Sequence, residues 1–342
     1  MQYNNSQWPQ LYELLDKLGL VLKTLNINEN LPAACVVIDH DGYVIDRPNV
    51  VITLSAAPWD TNSQGRQDQI LSSIYYLAPS LARFAQQGPF RLRFDFDDAG
   101  SMGTICMDRP CGSDWLLIPD RYLLDIAQHP PQLTSKSSFQ EEFLSRKPII
   151  FWRGSTTGGS PGCHVSEPVT SPEQLMRNYR VAACLAISRM QLIEADCKIS
   201  NVVQLNGGMN DSDAWEVLRC QNVVGEKVGE EAFAAHQMTL DLPGNVAAWG
   251  ACRKYLSGCL VLKPPQDREL VYTRLLQPWI HYLPLAADLS DLRDRLDWVR
   301  NYQSEAACIA WNGREQLIDI LDRVPAMLQD AFRAGNEFKA AH

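Results

Sequence analysis

The densest grouping of residues able to do chemistry is Arg153-Gly154-Ser155-Thr156-Thr157-Gly158-Gly159, which follows directly on the apolar run Pro148 to Trp152. A guanidinium next to hydroxyls and glycine amides can hold a phosphate through charge-assisted bonds and backbone donors. The Walker spacing Gly-x-x-x-x-Gly-Lys-Ser/Thr is absent, so kinase or ATPase chemistry has no support. A flexible loop with an ordinary ion-pairing arginine fits the same residues. The second grouping runs from Leu240 through Asp241, Gly244, Asn245, Ala248 and Trp249. It reads as a strand end, a glycine turn and a small-residue helix start over Ala247–Ser257, stopped by Gly258 ahead of an apolar strand. Small residues at a helix start let a ligand come close to the backbone, although an alanine-rich helix before a buried strand is also common core.

Carboxylates form the third grouping. Arg91-Leu-Arg-Phe-Asp-Phe alternates as a half-buried strand does and runs into Asp97 and Asp98. Acids at the carboxyl end of a strand sit where open α/β sheets place chemistry, and one could act as a general base towards a hydroxyl. Neighbours on a strand point to opposite faces, so at most one of the pair faces a cleft. Both are equally ordinary turn residues. His281, close to Trp279, is a lone histidine of the kind more often found in a core. His164 and His236 are isolated, and neither metalloprotease, calcium-loop nor nucleophile-elbow spacing occurs, so no metal is expected.

The elements that would position these groups read as follows. Residues 8–28 suggest an amphipathic helix, Cys35 to Asp39 a strand, and Tyr43 to Leu54 a small hairpin or meander. Residues 67–76 and 79–86 suggest two helices, and Leu116 to Ile118 a short strand after an irregular stretch. Asp120 to Arg146, with Pro130 and Pro131, is polar and suits an interdomain connection. A second α/β unit opens at Pro148. Ser171-Pro-Glu-Gln174 starts a helix running to about Met190, and a strand lies within 195–205. Leu292, Leu296 and Val299 form one face of a helix. Another helix starts at Ser304 and is expected to end at Asn312-Gly313, followed by an amphipathic tail over 314–337 broken at Pro325.

At 342 residues the chain suits two domains. We expect an N-terminal α/β domain over 1–146, a C-terminal α/β domain over 147–313, and a helical tail over 314–342 packing back on the first. The formal charge is −9, from 31 basic and 40 acidic residues, which disfavours a nucleic-acid or anionic-membrane surface. The ten cysteines show no C-x-x-C pair. With no secretory signal pattern and no run of about 18 apolar residues, the expectation is a cytoplasmic protein without a transmembrane segment, peripheral membrane contact staying open. Pattern alone leaves a binding protein and a transferase equally open.

Several blocks resemble glycosyltransferase family 90, which takes in the fungal capsule-associated protein, the protein O-glucosyltransferases and bacterial proteins labelled lipopolysaccharide-modifying. They are Pro148 to Thr156, Arg180 to Ser188, Asp196 to Ser200, Leu240 to Trp249, Tyr255 to Lys263, and Leu276 to Arg293 with Trp298 and Asn312-Gly313. The resemblance implies two Rossmann-like α/β domains facing a cleft, the GT-B architecture. It implies a metal-independent, inverting transfer of a glucose- or xylose-type sugar from a UDP-sugar co-substrate, with no further cofactor. The acceptor would be a hydroxyl of a glycan, lipid-linked or lipopolysaccharide-like molecule. Asp98 falls at the catalytic carboxylate, with Asp97 and Asp95 next to it. Arg153, Gly154, Ser155, Asp241, Gly244, Asn245, Ala248 and Trp249 fall at the donor site, and Trp152, Trp279 and His281 around it. One departure matters: where glucosyltransferase members carry a phosphate-binding arginine after the aromatic, this chain has Gly250, leaving Arg253 or the helix amides to serve. The alternative is a catalytically weak or inactive relative that binds a nucleotide sugar or glycan.

Overall fold

The computed structural model describes residues 8–18, 20–28, 35–40, 43–44, 47–55, 64–97, 104–128, 130–131, 135–158, 167–192, 194–248 and 250–336. Asp98 and Trp249 lie outside these. The chain divides into two compact α/β units. The first takes the chain up to Pro130, Glu269–Val271 and the stretch from Leu321 onward; the second takes Pro131–Arg268 and Tyr272–Ile320.

In the first unit the expected helix over 8–28 is shorter. Trp8–Lys17 (α1) is helical and Val21–Asn28 is a strand (β1). The reason is local, because Leu25, Asn26, Ile27 and Asn28 alternate with the period of a strand. Cys35–His40 (β2), Arg47–Ser55 (β3), Phe90–Asp95 (β4), Ile105–Cys106 (β5) and Leu116–Leu117 (β6) complete a sheet in the order β1-β3-β2-β4-β5-β6. It is mixed. β2 lies antiparallel to β3 and β4, whereas β1 with β3, β4 with β5 and β5 with β6 are parallel. The link from β2 to β3 is too short for the crossover that a parallel pair needs. Gln64–Ala85 (α2) is one helix through Pro79, not two. An interior proline removes one backbone bond, and buried Ile74, Leu77, Ala78 and Leu81 hold the turns on either side.

The second unit is the more regular. Lys147–Ser155 (β7), Ala195–Asn201 (β8), His236–Leu240 (β9), Leu260–Lys263 (β10) and Leu283–Pro284 (β11) form a sheet in the order β8-β7-β9-β10-β11, parallel throughout. Ile150, Trp152, Cys197, Ile199, Met238, Leu240, Leu260, Leu262 and Leu283 supply the sheet's share of one core cluster. The helix begun at Ser171 stops early: Pro172–Arg177 is one helix and Tyr179–Arg189 another. Asn178, at φ −53° and ψ 130°, breaks it because its side chain caps the second helix, accepting from the amides of Arg180 and Val181.

The last helix differs most from expectation. Gln303–Gly335 is continuous through Asn312-Gly313 and Pro325. Gly313 serves close packing there, not termination: a Cβ on it would lie 2.5 Å from the carbonyl oxygen of His281 and 3.0 Å from the Tyr255 ring. Within the first unit the far end of this helix buries Phe332, whose ring meets those of Phe84 and Phe94 at 5.6 and 5.9 Å. Among the described residues no helix is long and apolar enough to cross a membrane.

Candidate functional site

In the second sheet the chain starts at β7, places β8 on one side, and then returns to lay β9, β10 and β11 on the other. The direction of growth therefore reverses between β7 and β9. In open parallel sheets the crevice outside the carboxyl ends of two such strands is where ligands bind. β7 ends at Ser155 and β9 at Leu240, so the two loops singled out by their residue types, from Arg153 and from Asp241, leave the sheet side by side.

Their approach is close because both carry glycine at the contact. A Cβ on Gly158, which has φ 101°, would lie 2.6 Å from the carbonyl oxygen of Gly244, and one on Gly244 would lie 3.1 Å from Arg180 Nη2. Arg180 reaches across from the second position of its helix: Nε donates to the Pro243 carbonyl at 2.9 Å and Nη2 to that of Leu242 at 3.1 Å. Its Nη1 makes no bond among the described residues. Burial lowers the Arg180 pKa to about 10, with Asp241 opposing the shift; it stays a cation at neutral pH. Asn178 fixes the other loop, its Nδ2 donating to the carbonyls of Thr156, at 2.8 Å, and of Gly158. Ser155 and Thr157 hydrogen-bond to each other through their hydroxyls.

Asp241 anchors the β9 loop and its charge. The carboxylate is buried, pairing through Oδ2 with Lys263 Nζ at 2.6 Å, while its Oδ1 has no hydrogen-bond partner among the described residues. Burial pushes its pKa up, but the Lys263 and Lys254 ammonium groups and the bonds from Lys263 and Gln266 outweigh that, leaving it below the usual carboxylate value. Lys254 donates to the Leu240 carbonyl at 2.7 Å, and burial brings its pKa down to about 8.

Other expected residues are placed differently. Trp152 is in the core, and Gly154 accommodates it: a Cβ there would fall 2.5 Å from the indole. Arg153 is committed within the framework. It pairs with Asp196 at 2.7 Å, donates to the carbonyls of Trp152 and Asp196, and lies 4.4 Å over the Phe151 ring. The helix expected to begin near Ala247 begins at Ala251 and has six residues, Ala251–Leu256. Asn245 and Ala248 thus belong to the preceding turn, and Arg253 is half-buried within the helix. Gly250 precedes it at φ −73°. Trp279, at φ 65°, and His281 occupy the turn before β11, two strands from β9. Trp279 packs there on Trp298 and under Arg295. His281 Nδ1 accepts from the Gln277 amide, and burial lowers its pKa.

The residues that sequence reading missed are Asn178, Arg180, Gln204 and Lys254. Arg180 lies within one of the blocks that resemble the family, but a single arginine in an apolar helix carries no signal of its direction. In the first unit the carboxyl ends of β4, β5 and β6 carry acids in step. Asp95 ends β4 and accepts the Asp97 amide at 2.9 Å, Asp108 follows β5, and Asp120 follows β6. Asp95, Asp108 and Asp120 are buried and Asp97 is half-buried.

The chain is similar to several known proteins. Uncharacterized protein 027R of Frog virus 3 (isolate Goorha) is 28% identical over 188 residues, covering 52% of this chain and 18% of that protein. Protein O-glucosyltransferase 2 of Danio rerio is 30% identical over 83 residues, 24% of this chain and 17% of that one. Human protein O-glucosyltransferase 3 is 32% identical over 89 residues, 26% of this chain and 18% of that one. The matches thus span under a fifth of each relative's length. A crystal structure of Anabaena HepE with UDP-glucose superimposes at a TM-score of 0.37 and 15% identity, covering 59% of this chain and 53% of that one. The profile of Glycosyl transferase family 90 matches residues 132–322, more than half of the chain and all of the second sheet with both loops at its reversal point, and the chain belongs to that family.

Proposed function

We propose that the protein transfers a glucose- or xylose-type sugar from a UDP-sugar to a hydroxyl of a glycan or lipopolysaccharide-like acceptor. The observation that carries this reading is the meeting of Gly158 and Gly244 beside Arg180 at the strand reversal. Two bare backbones next to a half-committed guanidinium suit a diphosphate better than an apolar ligand. Membership of a glycosyltransferase family supports a sugar as the transferred group, and similarity to protein O-glucosyltransferases supports glucose.

Asp98, next to half-buried Asp97, takes the proton of the acceptor hydroxyl while its oxygen attacks the anomeric carbon from the face opposite the leaving group. The bond to the diphosphate oxygen breaks, its electron pair leaves with UDP, and configuration inverts. Arg180 Nη1 stabilises the charge that grows on the diphosphate, an interaction stronger in the transition state than in the ground state. Arg153, paired with Asp196, has first a framework role. The test is titration with UDP together with slow hydrolysis of UDP-sugars, by the wild-type chain and by Asp98→Asn. Binding in both with hydrolysis in the wild type alone supports the reading. Absence of UDP binding overturns it, and binding without turnover on any donor favours a catalytically inactive relative.

A further inference from the structure

Gln204, three residues beyond the end of β8, sits in the left-handed region at φ 62°, a conformation that residues with a Cβ seldom hold without a reason in their surroundings. Its side-chain Oε1 accepts the Gly158 N–H at 3.0 Å.

This bond is not what joins β7 to β8. The strand ends are already tied by Thr156 N to Asn201 O at 3.0 Å, by Thr156 Oγ1 to Val203 O at 2.7 Å, and by Val203 N back to Thr156 Oγ1 at 2.9 Å. What Gln204 adds is control of one residue. The N–H of Gly158 is held by Gln204 and its carbonyl by Asn178, so both polar groups of that residue are fixed by side chains from two other elements. Gly158 is the glycine that faces Gly244. A loop oriented in this way before a ligand arrives has less freedom to lose on binding.

We propose that Gln204 is a positioning residue for the diphosphate of the donor, its backbone kept left-handed so that its amide sets the Gly158 peptide; the inference rests on the functional reading above. The probe is UDP itself, titrated calorimetrically into the full chain and into Gln204→Met, which keeps length without the acceptor, and Gln204→Gly, which also releases the backbone. Exchange of the Gly158 amide and thermal unfolding are followed alongside. We expect the Kd for UDP to rise about tenfold in both variants, exchange at Gly158 to quicken, and Tm to stay within about 3 °C. Wild-type binding with unchanged Kd in the variants overturns the positioning role and leaves the functional reading standing. A Kd that rises only together with a falling Tm in both variants reduces Gln204 to a structural part. A wild type that does not bind UDP removes this inference and the functional reading together. Should Gln204→Met fail to fold, the glycine variant decides.

Discussion

Gly158 and Gly244 meet backbone to backbone, a Cβ on the first falling 2.6 Å from the carbonyl oxygen of the second. The partner is main chain and cannot swing aside, and Gly158 also has φ 101°. Gly158→Ala is therefore expected to cost about 1–3 kcal/mol of stability, read by chemical denaturation, and to weaken UDP binding by separating the two loops. An alanine variant with unchanged stability and affinity would show that the approach is not required.

Gly250 is the opposite case. At φ −73°, a Cβ there meets nothing within 4 Å. Gly250→Arg should fold with a stability change within about 0.5 kcal/mol and bind UDP about tenfold more tightly, since a charge-assisted bond contributes about 1.5–3 kcal/mol. Unchanged affinity would mean that this helix start does not face the diphosphate.

Arg180 and Arg153 are expected to separate in their effects. Arg180→Gln should weaken UDP binding about tenfold or more. Arg153→Gln should mainly lower stability, by about 1 kcal/mol, because the Asp196 side of the pair is 42% exposed and screened by water. Calorimetry on both variants decides. If Arg153→Gln abolishes binding in a folded protein, Arg153 leaves Asp196 to take the ligand.

Asp120 makes stability depend on pH. Its carboxyl is buried and accepts the amides of Tyr122 and Leu123 through Oδ1. Burial pushes its pKa up to about 7, against those hydrogen bonds. The folded state then binds a proton that the unfolded chain releases near pH 4. This group's contribution is most favourable below the unfolded value and declines as pH rises towards about 7, by on the order of 4 kcal/mol in all. Asp120→Asn keeps the cap acceptor, should flatten that part of the profile, and should raise Tm above pH 7. Parallel denaturation profiles of the two proteins from pH 4 to 8 would refute the assignment.

Much of the second unit was legible because its signals are local. The apolar run Pro148 to Trp152 is the interior of β7, and Ser171 does cap its helix, accepting from the Gln174 amide at 3.3 Å. What could not be read were positions where a long-range contact overrides the local one. Asn178 ends a helix in order to hold Thr156 and Gly158, more than twenty residues back in the case of Thr156. Gly313, which reads as a stop, sits mid-helix to admit His281 and Tyr255. The direction of Arg153 was likewise hidden, since its partner Asp196 is 43 positions away. Residue types singled out the two loops of the candidate site, but only the strand order shows that they leave the sheet together.

The single helix Gln303–Gly335 contributes to both units, residues to Ile320 to one and those from Leu321 to the other. The N-terminal half is consequently not a contiguous length of polypeptide. Expressed alone as residues 1–130, it would lack Phe332 and leave Phe84 and Phe94 uncovered, an invitation to aggregate. Anyone wishing to dissect the protein into halves would have to supply the far end of that helix in trans.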